Sequence, residues 1–161
     1  MGFVSRLFKK NNLYDILIHN IDLLKKFDSQ IKFDFSFASK NIIFYCDYEQ
    51  MSRVCFNLIK NSIESIAEKS KKTSKSNNII NIEILERKHY ISINISDTGI
   101  GFGKIETKDL IKPYYTTKQK GSGLGLSIVN KIISDHNGSI KFLNHSNGAK
   151  IEILLAKKNV S

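Results

Sequence analysis

Cysteine, proline and long apolar runs are scarce in this chain. Cys46 and Cys55 are the only cysteines among 161 residues. They stand too far apart for a Cys-x-x-Cys pair, which excludes a zinc ribbon or a disulfide-built scaffold and points to a reducing compartment. No apolar run approaches the ~20 residues needed to span a bilayer. The opening MGFVSRLFKKNN holds too short an apolar stretch for a secretory signal. Arg6 stands where N-myristoylation requires Ser or Thr. The chain reads as cytoplasmic, or as the cytoplasmic piece of something longer, without membrane contact of its own.

Acidic side chains are also few: 15 Asp and Glu face 25 Lys and Arg, a formal net charge of +10. Such an excess points either to a polyanionic partner (nucleic acid, anionic membrane, a phosphate-bearing ligand) or to a Lys-rich solvated surface. Hydrophobic residues at 41% and charged residues at 25% are ordinary for a globular protein and exclude wholesale disorder. Residues 1–161 fit a single domain, which at this length needs no disulfide or metal staple.

Apolar spacing predicts a helix over 13–27, with Leu13, Ile16, Leu17, Ile21, Leu24 and Phe27 on one face. Alternation predicts strands over 31–37 and 41–46. Asp47 then reads as an N-cap with Gln50 as its capping-box partner, opening a helix over 48–68. The basic stretch over 69–78 reads as a solvated loop. Strands follow over 79–86 and 90–96, then Asp97-Thr-Gly-Ile-Gly-Phe-Gly103 breaks the second. The segment over 104–120 shows little periodicity. An amphipathic helix over 124–136 ends at Asn137-Gly138, residues that tolerate a left-handed C-cap. Strands over 139–144 and 149–155 close the chain through a turn at 146–148. Helices separated by strand pairs imply an α+β fold: a two-layer sandwich, with helices on one face of a mixed, mostly antiparallel sheet.

Three motifs carry chemistry. Asn57 and Asn61 share one helical face at i and i+4, against the helix propensity of Asn. An amide oxygen there suits Mg²⁺; local capping or plain exposure is the alternative. Asp97, at a strand end before Gly99 and Gly101, can accept from the amino group of a flat ligand that the glycines let approach; an ordinary Asp-Gly turn is the alternative. Gly121, Gly123 and Gly125 lead into a helix whose free N–H groups would hold phosphate, or they form a flexible loop. The spacing is neither a P-loop nor the dinucleotide fingerprint.

Taken in order, these motifs resemble the GHKL superfamily of Bergerat-fold ATP-binding domains. Asn57–Asn61 matches its N box, Asp97-Thr-Gly-Ile-Gly101 its G1 box, Pro113-Tyr-Tyr-Thr-Thr117 its F box and Gly121-Ser-Gly-Leu-Gly125 its G2 box. Within that superfamily the chain looks like the catalytic domain of a sensor histidine kinase, closest to the NtrY and NtrB nitrogen-regulation type. The resemblance implies ATP and Mg²⁺ as ligands and carries the following roles. Asn61 ligates Mg²⁺ and Asn57 orders the same polar cluster, with Lys60 able to reach phosphate. Asp97 accepts from the adenine amine, with Gly99 and Gly101 shaping the pocket wall. Thr117 and Lys118 belong to a lid over the phosphates. Gly121, Ser122, Gly123, Leu124 and Gly125 form the phosphate loop, and Leu126 anchors the helix behind it.

The reaction is suggested by one position. Members that hydrolyse ATP carry Glu four residues before the Mg²⁺-binding Asn; this chain has Asn57, and a neutral amide is no general base. Phosphoryl transfer to an imidazole needs none, so a histidine kinase is favoured over an ATPase. The phosphoacceptor His-Glu/Asp-x-x-Asn-Pro context is missing: the only proline is Pro113, and His19, His89, His136 and His145 all lack that context. The acceptor would then lie on a dimerisation domain, in trans or elsewhere in its own longer protein, with a response regulator downstream. The chain would be an excised piece, or the product of a truncated or split gene, cytoplasmic or the cytoplasmic part of a membrane-bound sensor. A nucleotide-binding regulatory module without phosphotransfer and an anti-sigma-type serine kinase are the competing readings. No aromatic-rich basic motif supports nucleic-acid binding. Ser62, Tyr115 and Ser122 replace the usual Ala, Phe and Thr of the family boxes.

Overall fold

A computed structural model describes residues 7–74, 77–113, 125–145 and 147–158. The elements run β1 (Phe8–Asn12), α1 (Leu13–Lys25), β2 (Lys32–Phe37), β3 (Ile43–Asp47), α2 (Tyr48–Lys72), β4 (Ile79–Glu86), β5 (Tyr90–Asp97), α3 (Thr107–Leu110), α4 (Gly125–Asp135), β6 (Gly138–His145) and β7 (Gly148–Ala156). Strands β2, β4, β5, β7 and β6 form one sheet in that order. The β2–β4 pair is parallel and the other pairs are antiparallel. The expected α+β architecture with a mixed, mostly antiparallel sheet is therefore what the chain adopts.

Period-two alternation builds the core. Ile80, Ile82 and Ile84 of β4, Ile91, Ile93 and Ile95 of β5, and Ile151, Ile153 and Leu155 of β7 are buried on one face. Register stacks them in rows, with Ile82 opposite Ile95 and Ile95 opposite Ile151. Helices α1, α2 and α4 cover that face with Leu13, Leu17, Ile21, Met51, Leu58, Ile59, Val129 and Ile133. Each such side chain, fully buried, contributes about 1.5–3 kcal/mol. At the edge, Phe33, Phe35 and Phe37 of β2 stack along the strand, and Tyr14 and Lys25 of α1 lie against them. Among the described residues no helix is long and apolar enough to cross a membrane.

Several boundaries differ from expectation. Helix α1 ends at Lys25, and Phe27 is left 80% exposed. Helix α2 runs on to Lys72, into the stretch read as loop. Lysines in a last turn complement the helix dipole, and Lys72 also pairs with Glu68 one turn back. Strand β1 was not expected, because Lys9, Lys10, Asn11 and Asn12 carry no apolar alternation. It pairs with β3 in a separate two-stranded sheet, so β3 does not join the main one. The short α3 falls in the segment that shows little periodicity.

The junction between this small sheet and α4 rests on His136. Its ring is 3% exposed. Nε2 accepts from Asp47 N–H at 3.1 Å, and Nδ1 lies 2.7 Å from the Ile132 carbonyl, so Nδ1 carries the proton. Phe8 stacks on the ring at 4.6 Å. Asp47 does cap α2, accepting from Gln50 N–H at 3.1 Å. The return arm of the expected capping box is absent, because His136 already holds the Asp47 N–H. Gln50 Oε1 is consequently buried with no hydrogen-bond partner among the described residues. His136→Ala leaves the Asp47 N–H without its acceptor and opens a void beneath Phe8. It should destabilise the protein by about 2–4 kcal/mol, read as a lower denaturation midpoint at unchanged slope. An unchanged midpoint would show that the ring is not holding α4 to α2.

Candidate functional site

Alternation alone aims the Asp97 carboxylate. It continues the Ile91, Ile93, Ile95 series of β5 and lies opposite Ile80 of β4. Its side chain therefore points into the helix-facing layer, and the residue is 7% exposed. Oδ1 accepts from Gly99 N–H at 2.9 Å, with Ala149 N–H at 3.5 Å. Ser62 of α2 donates a further hydrogen bond, and the charge of Lys69 lies close enough to be felt. Burial pushes the Asp97 carboxyl above its ordinary value, and the Gly99, Ser62 and Ala149 bonds and Lys69 oppose that rise. A buried carboxylate so placed is an acceptor suited to a neutral donor such as an amine.

The loop beyond Asp97 is held on three sides. Thr98 Oγ1 donates to the Asn77 carbonyl at 2.6 Å and accepts from Ile79 N–H at 3.0 Å. Ser65 Oγ accepts from Ile100 N–H at 3.0 Å. Asn144 Oδ1 accepts from Phe102 N–H at 2.9 Å, and its amide donates to the Gly103 carbonyl. Gly99 is buried so tightly that an added Cβ would lie 2.1 Å from Ser65 Oγ and 2.6 Å from the Ser65 carbonyl carbon. Glycine there is a packing requirement, which the bare Asp-Gly turn would not impose. Gly101 is half-buried in the same loop.

On α2, Asn57 and Asn61 are half-buried. With Ser65 they form an i, i+4, i+8 line, and Ser65 touches the Asp97 loop. The two asparagines therefore stand along the helix edge that meets this loop. Lys60 is exposed, its Nζ 3.9 Å from Glu64 Oε1. Gly125 opens α4, and Leu126 is partly buried against the core at its first turn. Thr117, Lys118, Gly121, Ser122, Gly123 and Leu124 lie outside the described residues. Lys112 pairs with Asp109 at 2.7 Å on an exposed turn. That contact lowers the carboxyl of Asp109 and raises the ammonium of Lys112.

Cysteine chemistry finds no place here. Both thiols are free and buried, and burial pushes Cys46 up to about 11, so it is no ready nucleophile. Among the described residues no three His, Cys, Asp or Glu side chains gather to hold a metal. A cation at this site would use the amide oxygen of Asn61 together with ligand oxygens, a donor set that fits Mg²⁺. Sequence reasoning missed Ser62, Ser65, Lys69, Asn144 and Ala149. Ser62 carried a signal, as a hydroxyl within the apolar stripe of α2. The others are brought to Asp97 and its loop only by folding.

Comparison with known proteins agrees with this geometry. The sequence pattern of the family described as histidine kinase-, DNA gyrase B-, and HSP90-like ATPase matches residues 46–159. Sporulation kinase E of Bacillus subtilis is 31% identical over 136 residues, 83% of this chain and 18% of that protein. An NtrY-like sensor histidine kinase of Rickettsia conorii is 31% identical over 147 residues, 91% of this chain and 24% of that protein. The chain thus spans a quarter or less of the length of these two relatives. The nucleotide-free catalytic domain of histidine kinase ThkA superposes with a TM-score of 0.81 at 26% identity, covering 94% of this chain and 96% of that one. The chain belongs to the histidine kinase-, DNA gyrase B-, and HSP90-like ATPase family, as an ATP-binding catalytic domain of the sensor histidine kinase type.

Proposed function

We propose that residues 1–161 form one domain that binds ATP with Mg²⁺ and transfers the γ-phosphoryl group to a histidine of a dimerisation domain outside these residues. The single observation that carries the choice of reaction is the amide of Asn57, placed one turn before Asn61 on the helix edge facing the Asp97 loop. A hydrolytic site would need a carboxylate there to activate water. An imidazole nitrogen attacks without one, and positioning and charge stabilisation supply most of the rate.

In this reading the Asp97 carboxylate accepts from the exocyclic amine of adenine and fixes the base against Gly99 and Gly101. Asn61 contributes an amide oxygen to Mg²⁺, and Asn57 orders the polar cluster beside it. Bound Mg²⁺ neutralises charge on the phosphate oxygens. Thr117 and Lys118 cover the phosphates. Gly121, Ser122, Gly123, Leu124 and Gly125 bring backbone N–H groups to them at the positive end of α4, and Leu126 packs that helix in place. Lys60 adds charge at the rim once it leaves Glu64. A response regulator is the expected next phosphoryl acceptor; histidine kinase ThkA is known in complex with the response regulator TrrA. The domain works on the cytoplasmic side, where ATP is.

The test is transfer from γ-labelled ATP to a purified histidine-bearing dimerisation domain. The expected product is acid-labile phosphohistidine in trans, lost in Asn61→Ala. Acid-stable phosphoserine on an acceptor would replace this reading by a serine kinase of the anti-sigma type. ATP binding without transfer to any acceptor would leave a nucleotide-binding module.

A further inference from the structure

Two hydroxyls of α2 reach the Asp97 loop, and the proposed nucleotide chemistry assigns neither a role. Ser62 is 2% exposed, in a stripe otherwise made of Met51, Val54, Cys55, Leu58, Ile59 and Ile66. A buried hydroxyl there requires a partner, and Asp97 is that partner. Ser65, three residues on, takes the Ile100 N–H at 3.0 Å. Its side chain fills the space that a Cβ on Gly99 would occupy. One helix therefore grips the segment at both ends, at the carboxylate and just past the glycine.

We propose that Ser62 and Ser65 are positioning residues of the adenine subsite: Ser62 holds the Asp97 carboxylate aimed as an acceptor, and Ser65 sets the height of the loop that forms the pocket wall. The inference rests on the reading of Asp97 as the adenine acceptor. The two serines differ in what they control. Ser62 donates to the carboxylate itself and, with the charge of Lys69 on the same helix, favours its charged form against the burial that opposes it. Ser65 bonds only to backbone and leaves that charge alone. A charged Asp97 accepts from the amine of adenine and repels the carbonyl oxygen of hypoxanthine. A protonated one donates to that carbonyl. Ser62 thereby bears on base selectivity as well as on affinity.

The experiment measures binding of ATP and of inosine triphosphate by the full chain across a range of pH. Wild type is compared with Ser62→Ala and Ser65→Ala. Alanine removes one oxygen from each site and is the better helix former, so both variants should fold. Wild type should prefer ATP and lose it as pH falls. Ser62→Ala should weaken ATP about tenfold, the usual effect of losing a hydrogen bond to a charged group. It should also move the acid loss of binding to higher pH and narrow the preference for ATP at the acid end. Ser65→Ala should weaken both nucleotides with the acid limb unmoved. A wild type that binds neither nucleotide overturns the adenine reading, and this proposal with it. A wild type that binds ATP, beside a Ser62→Ala variant with the same affinity and the same acid limb, overturns the proposal alone.

Discussion

Replacing Asp97 with Asn is expected to remove measurable ATP binding while the protein stays folded. The side chain keeps its shape, but its buried acceptor capacity halves. Oδ1 already serves Gly99 N–H, with Ala149 N–H behind it. In the variant one orientation turns the amide nitrogen toward these donors. The other turns it toward the adenine amine, which is also a donor. Either way a buried donor loses its acceptor, an effect of about 1–3 kcal/mol, and the charge-assisted bond to the base is lost as well. Together these weaken binding by a factor on the order of 100 or more. The fold gains in partial compensation, because a charge that burial opposes is no longer present. Titration calorimetry with ATP, beside a thermal melt, reads both effects. Wild-type-like binding would remove Asp97 from the site.

The direction of that opposition also sets the pH behaviour. Burial raises the folded-state carboxyl above its unfolded value, so in the window between the two the folded protein binds the extra proton. The contribution of Asp97 to stability therefore declines as pH rises through that window. Nucleotide affinity runs the opposite way, because the protonated carboxyl no longer offers a charged acceptor. ATP binding is lost as pH falls through the raised value, and nucleotide-free stability rises over the same interval. Asp97→Asn should flatten that share of the stability profile.

Gly148→Ala is the second large effect, expected at a position that no motif marks. Gly148 starts β7 with φ +154°, and an added Cβ would lie 1.9 Å from the Asp97 carbonyl oxygen. It would also lie 3.0 Å from Gly99 N. The obstacle is backbone, which cannot swing aside as the end of a long side chain can. Overpacking of this kind typically costs about 1–3 kcal/mol, and a backbone-on-backbone clash belongs at the upper end. For a domain of this size that lowers Tm by roughly 6–12 °C. ATP affinity should fall too, because the strand end that carries Asp97 must move. Denaturant titration and calorimetry on the same preparation check this. Unchanged Tm and affinity would mean that the β6–β7 turn does not press on the site.

Much of this was open to sequence reasoning because local periods decide it. The isoleucine series of β4, β5 and β7 gave strand positions and the buried face within a residue or two. The same alternation runs one residue past the expected strand end and carries Asp97 inward. The i, i+4 spacing put Asn57 and Asn61 on one side of α2. Asn137 has φ 56°, the left-handed cap its residue type suggested. Where the period was missing, so was the element. Strand β1 is held by Phe8 stacking on a histidine 128 positions away, a contact that no local pattern encodes. The last turn of α2 looked like loop because its residues are basic and polar, and its end is set by pairing and helix dipole instead.

The site divides along the same line. Residue type and period already mark which atoms can do chemistry: a carboxylate at a strand end, two amides on one helix edge, and glycines where backbones must come close. These follow from residue type and period, which act over a few residues. What surrounds those atoms comes from the packing of distant elements. It set Ser62 and the charge of Lys69 against Asp97, Ser65 against Gly99 and Ile100, and Gly148 and Ala149 against the end of β5. It also gave His136 the Asp47 N–H that Gln50 was expected to hold. Those partners lie tens of residues apart in the chain. They meet because burial of one continuous apolar face brings α2, β5 and β7 together, and that face is a property of the whole fold.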